Sequence, residues 1–181
     1  MKLLGPKTQV SRPITDRVKE SLFSVLYKYN LPGDAVVADL FSGVGSLGLE
    51  ALSRKARFVT FVELDQKVIS VLKKNIEKAG FINESEIIRA DSFKFGLSPN
   101  PDRQMYDLVF IDPPYAASRD VQADSPLSGL MDSLGPRVTA EAVIIVRTDR
   151  KVSLLEQYGE FRIIERRRWG TMTVTILQKT N

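Results

Sequence analysis

The chain has 181 residues, of which 43% are hydrophobic and 27% charged, as expected of one globular domain with a buried core. It contains no cysteine and no histidine, which excludes disulfides, a cysteine nucleophile, the usual zinc sites and a histidine general base. The N-terminus lacks the apolar centre of a secretory signal, and no apolar run reaches membrane-spanning length, so a cytoplasmic location is expected.

Strand and helix patterns alternate along the chain. An apolar stripe predicts a first helix over Pro13–Asn30, with Thr15 as its N-cap. The predicted buried strands are, in order, Val36–Ala38, Phe58–Val62, Glu86–Arg89, Tyr106–Ile111 and Ala142–Val146. Further helices are predicted up to Ala79 from an N-cap at Asp65, over Leu127–Leu134, and over Val152–Tyr158.

The end of the chain has a different pattern. Phe161–Arg167 and Met172–Leu177 alternate apolar and polar residues around Trp169-Gly170, which predicts an antiparallel pair. Together with the alternation upstream, this predicts an α/β fold. It has one mostly parallel, seven-stranded sheet, helices on both faces and an antiparallel C-terminal hairpin.

Positive charge is concentrated at the two ends of the chain. Residues 1–30 carry six Lys and Arg against two Asp and Glu, and residues 147–181 carry eight against four. The middle carries twelve against sixteen, within a net charge of +4. Basic flanks around an acidic middle suit a polyanionic partner such as RNA or DNA, but a solvated basic surface explains them equally well.

A glycine turn directly after the first strand organises the prediction. Gly43, Gly45 and Gly48 match the G-x-G-x-x-G pattern, and Glu63 follows about 20 residues later, where a dinucleotide site places its ribose-binding acid. A nicotinamide-dependent oxidoreductase is therefore one interpretation. Asp39 stands before the turn and would repel a pyrophosphate, whereas it can accept hydrogen bonds from the ammonium group of S-adenosylmethionine.

Acidic residues follow four of the predicted strands. Asp39, Glu63, Asp91 and Asp112 each stand at or just after a strand end. Because the carboxyl ends of parallel strands meet at one edge of the sheet, where such folds bind ligands, these residues predict one binding site. Each residue alone could equally be a turn or cap residue.

The fourth strand leads into Asp112-Pro113-Pro114-Tyr115. An exocyclic amine on a purine is a poor nucleophile, and two acceptors, the Asp112 carboxylate and the Pro113 carbonyl, can aim its lone pair at a methyl donor. Tyr115 offers a stacking face for the base, which must leave its own stack. The alternative is a rigid turn after a strand. Methylation at C5 of a pyrimidine normally needs a cysteine adduct, which this chain cannot form.

These motifs resemble the class I S-adenosylmethionine-dependent methyltransferases and, within them, the RsmD family of small-subunit (16S) rRNA guanine-N2 methyltransferases. The similar segments are Arg12–Phe23, Asp39–Arg54 and Asp112–Tyr115. The resemblance implies a single Rossmann-like methyltransferase domain over residues 1–181, with an N-terminal extension and helix over 1–34 and a catalytic core over 35–181. Family members usually begin with a longer basic, glycine-rich segment, of which Leu3-Leu4-Gly5 is a candidate remnant.

The resemblance also implies S-adenosylmethionine as cofactor, ribosomal RNA (free or in an assembling small subunit) as partner, and no membrane or metal. It implies that Asp39 holds the methionine end, Glu63 the ribose, and Asp91 the region of the adenine amino group. The implied cofactor-binding residues are Asp39, Phe41, Gly43, Gly45, Glu63, Leu64, Asp91 and Ser92. The implied base-binding residues are Asp112, Pro113, Pro114 and Tyr115.

Arginines near the two ends of the chain are candidates for RNA phosphate contact. They are Arg12, Arg17, Arg166, Arg167 and Arg168. Three alternatives to guanine-N2 methylation stay open at this point: amino-methylation of adenine N6 or another amine in RNA or DNA, nicotinamide-dependent oxidation, and RNA binding without catalysis.

Overall fold

The computed structural model describes residues 3–4, 14–97, 105–114 and 119–180. Its α-helices are α1 (Asp16–Leu26), α2 (Ser46–Ser53), α3 (Gln66–Ala79) and α4 (Pro126–Leu134). Its strands are β1 (Val36–Leu40), β2 (Phe58–Glu63), β3 (Ser85–Arg89), β4 (Tyr106–Ile111), β5 (Val138–Asp149), β6 (Gln157–Tyr158), β7 (Phe161–Trp169) and β8 (Met172–Lys179). Short 3-10 helices cover Tyr27–Tyr29, Ser92–Leu97 and Gly135–Arg137.

Polar side chains and glycines set the ends of the helices. The Thr15 hydroxyl accepts a hydrogen bond from the backbone of Val18 and begins α1, as the sequence predicts. The Asp65 carboxylate accepts two backbone N–H groups at the start of α3. Gly80, at φ 78°, ends α3 in the left-handed conformation that glycine adopts without steric cost.

The strands form one sheet in the order β3-β2-β1-β4-β5-β8-β7-β6. The pairs among β3, β2, β1, β4 and β5 are parallel, whereas β8, β7 and β6 pair antiparallel. The predicted fold class is therefore confirmed. The described residues contain one strand more than the seven predicted, because the two-residue β6 extends the antiparallel edge.

Helices cover both faces of this sheet and create two apolar layers. On one face, α1, α2 and α3 pack on inward-facing residues of the strands such as Val37 and Phe61. On the other face, α4 packs on the alternate residues, such as Val36 and Ile144. None of the helices in the described residues is both long and apolar enough to cross a membrane.

The prediction of a helix over Val152–Tyr158 is wrong. Residues 152–156 have no regular structure there, and Gln157–Tyr158 forms β6 against β7. The helical prediction rested on apolar spacing, but tertiary contacts determine this segment. Tyr158 is only 2% exposed, and its hydroxyl donates a 2.6 Å hydrogen bond to the carbonyl of Val121.

Two other elements differ from prediction in length. β5 runs from Val138 to Asp149 instead of Ala142–Val146, because Val138 pairs with Tyr106 of β4 at its start and residues 147–149 pair with β8 at its end. The first helix is shorter than Pro13–Asn30. α1 begins at Asp16 and ends at Leu26, Tyr27–Tyr29 form a 3-10 turn, and Pro13 lies outside the described residues.

The short N-terminal segment, Leu3-Leu4, lies against α3. Asn75 of α3 is fully buried, and its side chain bonds the N–H of Leu4 at 2.9 Å and the carbonyl of Leu4 at 3.2 Å. The same amide donates to the carbonyl of Val44 in the glycine turn at 3.0 Å. Asn75 therefore joins the N-terminal segment to the turn, a connection that the sequence did not indicate.

Candidate active site

The parallel register brings the predicted acidic residues to one edge of the sheet. Asp39 of β1 lies opposite Phe61 of β2 and Phe110 of β4. Glu63 is the last residue of β2, and Asp112 directly follows β4. The edge formed by the carboxyl ends of β1, β2 and β4, from here on the acidic rim, is where an open parallel sheet binds its ligand.

The glycine turn between β1 and α2 leaves its backbone open at this rim. Gly43 has φ 54°, and no atom lies within 4 Å of the position that a Cβ would occupy. Gly45, at φ 88°, is the N-cap of α2, and a Cβ there would lie 2.5 Å from Leu72. The turn therefore combines a surface that a ligand can approach closely with the N–H groups at the start of a helix.

Asp39 is a buried carboxylate at the centre of the rim. It is 2% exposed and accepts a 2.8 Å hydrogen bond from the backbone of Gly48. Burial raises the pKa of Asp39 well above its usual value, and the nearby Asp112 and Glu63 carboxylates raise it further, against the Gly48 hydrogen bond. No Lys or Arg of the described ranges forms an ion pair with Asp39, so a ligand cation placed there would stabilise its ionised form.

Glu63 already binds the backbone around it. Its Oε2 accepts from Gly43 at 3.0 Å, and its Oε1 accepts from Leu64 and Asp65 at 2.9 Å each. A carboxylate has about four acceptor positions, so the three N–H groups leave room for one further donor, at Oε2. Glu63 thus shapes the glycine turn as well as offering one position to a ligand hydroxyl.

The remaining predicted cofactor residues lie beside this turn. Phe41, at φ 61°, donates its N–H to the Ser92 hydroxyl at 3.0 Å, which ties the end of β1 to the segment after β3. Asp91 accepts a 3.1 Å hydrogen bond from the backbone of Phe93, and its carboxylate is 37% exposed. Leu64 is 59% exposed beside Glu63, an apolar surface next to the carboxylates.

Asp112 has a partner that sequence reasoning missed. Its Oδ1 accepts a 2.5 Å hydrogen bond from Nε of Arg147, on β5. Burial raises the pKa of Asp112, and the Arg147 guanidinium opposes this rise. A sequence signal existed: Arg147 is the first polar residue after the apolar run Ala142–Val146, just as Asp112 follows Tyr106–Ile111. The prediction that residues directly after buried strands form the site was made only for acidic residues.

The other predicted site residues that the structure describes lie after β4, on α1 and on β7. Pro113 is buried and Pro114 exposed directly after Asp112, whereas Tyr115 and Arg12 lie outside the described residues. Arg17 is exposed on the first turn of α1.

The predicted arginines of β7 differ in their partners. Arg166 pairs with Glu156 at 2.7 Å and Arg167 pairs with Glu165, so these two are already bound to acidic residues. Arg168 is exposed.

The part of the chain that the structure describes contains no cluster of three or more Asp or Glu residues arranged to hold a metal ion.

Comparison with known proteins identifies the family. The model described as Conserved hypothetical protein 95, which represents the RsmD family, matches residues 1–178. The chain belongs to the RsmD family. The solved structure of yhhF from Escherichia coli superposes with a TM-score of 0.80 at 28% identity, and the match covers 99% of this chain and 92% of that one.

Sequence relatives carry RsmD-type names. "Ribosomal RNA small subunit methyltransferase D" of Haemophilus influenzae is 44% identical over 117 residues, which are 64% of this chain and 59% of that protein. The protein of the same name in Escherichia coli K12 is 38% identical over 63% of this chain and 54% of its own length. The matched regions therefore span little more than half of these two relatives.

Proposed function

We propose that this RsmD-family chain is an S-adenosylmethionine-dependent methyltransferase that modifies the exocyclic N2 amine of a guanine in 16S ribosomal RNA. One observation carries the proposal. A buried carboxylate without a cationic partner in the described residues, Asp39, lies beside an open glycine turn, and Asp112-Pro113 follows the neighbouring strand. A cytoplasmic location, where ribosomal RNA is found, is part of the proposal.

The residues present fit S-adenosylmethionine better than a nicotinamide dinucleotide. Asp39 would accept hydrogen bonds from the ammonium group, which brings the positive charge that the buried carboxylate lacks. Glu63 has one free acceptor position for a ribose hydroxyl. Asp91, Ser92 and the exposed Leu64 would border the adenine. A pyrophosphate at the same turn would lie near the acidic side chains of Asp39, Glu63 and Asp112 and be repelled by the ionised ones, which makes the oxidoreductase the weaker candidate.

S-adenosylmethionine, which Asp39, Glu63 and the glycine turn would hold, would supply an electrophilic methyl group. The amine nitrogen would form the new N–C bond, the S–C bond would break with its electron pair left on sulfur, and the nitrogen would release a proton to water. The Asp112 carboxylate and the Pro113 carbonyl would each accept one N–H of the amine and direct its lone pair to that methyl group. The prolines add no backbone donor, so the turn presents only acceptors. Orientation of the amine is the chain's main contribution to the rate.

Cofactor binding tests the proposal first. Isothermal titration calorimetry should show S-adenosylhomocysteine binding to the wild-type chain and its loss in Asp39→Ala. Asp112→Ala should keep this binding and lose methyl transfer, because Asp112 serves the amine and not the cofactor. Binding of NADH in place of S-adenosylhomocysteine would reject the proposal in favour of an oxidoreductase.

The position of methylation needs a second assay. The chain is incubated with labelled S-adenosylmethionine and either naked 16S rRNA or small subunits, and the nucleosides are separated by mass spectrometry. N2-methylguanosine is the expected product. N6-methyladenosine would retain the methyltransferase and reject the guanine specificity, and cofactor binding without any methylated nucleoside in either substrate would favour a non-catalytic RNA-binding role.

A further inference from the structure

The ion pair between Arg147 and Asp112 follows from the sheet register. Ile111 at the end of β4 is paired with Val146 of β5 in parallel, so the residues that follow them, Asp112 and Arg147, lie side by side. Ile145 packs in the apolar layer under α1, α2 and α3, and strand alternation puts Arg147 on that same face. The two strands therefore fix where the guanidinium meets the carboxylate.

This pair is shielded from water. The Arg147 side chain is 6% exposed and that of Asp112 17% exposed, and their Nε–Oδ1 distance is 2.5 Å. A guanidinium is planar and stays charged, so it holds a carboxylate in a defined orientation better than a flexible ammonium group does. Because Oδ1 is bound to Nε, Oδ2 is the oxygen that this contact leaves available for another donor.

Charge gives the contact a second effect. From β1, the Asp39 carboxyl group lies near Asp112, and Glu63 at the end of β2 adds a third acidic group next to Asp39. On the other side, β5 contributes Arg147, whose partner on β8 is the uncharged Val174. Arg147 is thus the cation that offsets the acidic rim at Asp112 within the described residues.

The protonation state of Asp112 matters for the reaction proposed above. An ionised carboxylate only accepts hydrogen bonds, whereas a protonated one presents an O–H donor to the amine. A donor facing the amine N–H groups would turn the nitrogen lone pair away from the methyl group. We propose that Arg147 is a positioning residue that keeps Asp112 ionised and leaves Oδ2 to accept the substrate amine. This inference rests on the proposed methyltransferase function.

Kinetics test the inference through pH dependence. Arg147→Met should bind S-adenosylhomocysteine within about twofold of wild type, because the group that Arg147 holds, Asp112, is proposed to serve the amine and not the cofactor. The acid limb of its kcat profile should move up by about 1–3 pH units, the effect that a neighbouring arginine has on a carboxyl pKa. The kcat should be reduced at neutral pH and recover at higher pH.

Two further variants separate charge from orientation. Arg147→Lys keeps the charge but not the planar fork, so its acid limb should stay in place while kcat falls severalfold. Arg162→Met is the matched control. Arg162 is exposed on β7 near the opposite end of the sheet, where Gln157 and Gln178 are its neighbours on the adjacent strands. The dependence of kcat on pH in this variant should equal that of the wild type. If Arg147→Met leaves the scaffold unfolded, Arg147→Gln, which retains a donor without charge, should show the same upward shift.

A direct titration separates this inference from the proposed function. In protein labelled with ¹³C at aspartate carboxyl carbons, the Asp112 signal is assigned by its loss in Asp112→Asn and followed with pH in the S-adenosylhomocysteine complex or the free chain. Its midpoint should rise by about 1–3 units in Arg147→Met. An unchanged midpoint, or an unshifted kcat profile, would overturn the inference. Absence of methyl transfer by the wild type would instead reject the proposed function.

Discussion

Gly48→Ala should destabilise the chain because the third glycine of the turn is where α2 rests on β2. A Cβ at Gly48 would lie 2.8 Å from Cζ of Phe61 and 2.9 Å from Cγ1 of Val59. Carbon atoms pack at about 3.5–4.0 Å, so the helix must move away or Phe61 must leave its position. Phe61 and Val59 are both fully buried in the layer under α2, so little room exists for either adjustment.

The expected free-energy change follows from two opposing contributions. Inserting a methyl group into a packed layer costs about 1–3 kcal/mol. Alanine is favoured over glycine within a helix by about 0.8–1.0 kcal/mol. The net loss in the free energy of unfolding should therefore be about 0–2 kcal/mol, which lowers Tm by up to roughly 8 °C for a chain of this size.

Gly129→Ala supplies the matched control. Gly129 also lies inside a helix, α4, but it is exposed, and nothing lies within 4 Å of an added Cβ. The same substitution there should stabilise the chain by about 0.4–1 kcal/mol, since it only reduces the freedom of the unfolded state. Urea unfolding followed by circular dichroism measures both variants. A Gly48→Ala chain as stable as Gly129→Ala would refute the packing argument.

Three further predictions concern the buried side chains of Asn75 and Asp39 and the arginines of β7. Asn75→Ala should lower the free energy of unfolding by about 1–3 kcal/mol, since it removes a fully buried amide and leaves part-buried backbone groups of Leu4 and Val44 unpaired. Ser70→Ala, exposed on the same helix, should be near neutral, and equal losses would contradict this. Burial raises the pKa of Asp39, so above the usual aspartate pKa the folded chain retains a proton that the unfolded chain has released. The free energy of unfolding of the wild type should therefore fall as the pH rises through the folded-state pKa of Asp39. Asp39→Asn lacks this loss and should gain on wild type in urea unfolding as the pH rises above about 4, the usual aspartate pKa; a relative gain for wild type over that range would contradict the sign. Arg168→Ala should weaken RNA binding in filter assays at low salt more than Arg166→Ala, which loses an arginine already paired with an acidic residue; equal effects would remove Arg168 as the stronger phosphate contact.

Local sequence patterns are enough to predict the parallel half of the fold and the edge of the sheet at which three acidic residues meet. β4 was predicted with its observed bounds, and the predicted starts or ends of β1, β2 and β3 lie within two residues of those observed. These strands are short apolar runs bounded by glycine, proline or charged residues, so their signals are local. Asp39, Glu63 and Asp112 were placed at one edge because parallel strands bring their carboxyl ends together.

Contacts between residues that are distant in sequence depend on the folded structure. Arg147 is 35 residues from Asp112, and Asn75 is 71 residues from Leu4 and 31 from Val44, so no local pattern pairs them. The apolar spacing of Val152–Tyr158 fits a helix, but Tyr158 is buried by contacts with Val121, 37 residues away. The free energy gained by burying such a side chain exceeds the helical preference of a short segment. Which side chains become buried depends on which strands are neighbours in the folded sheet.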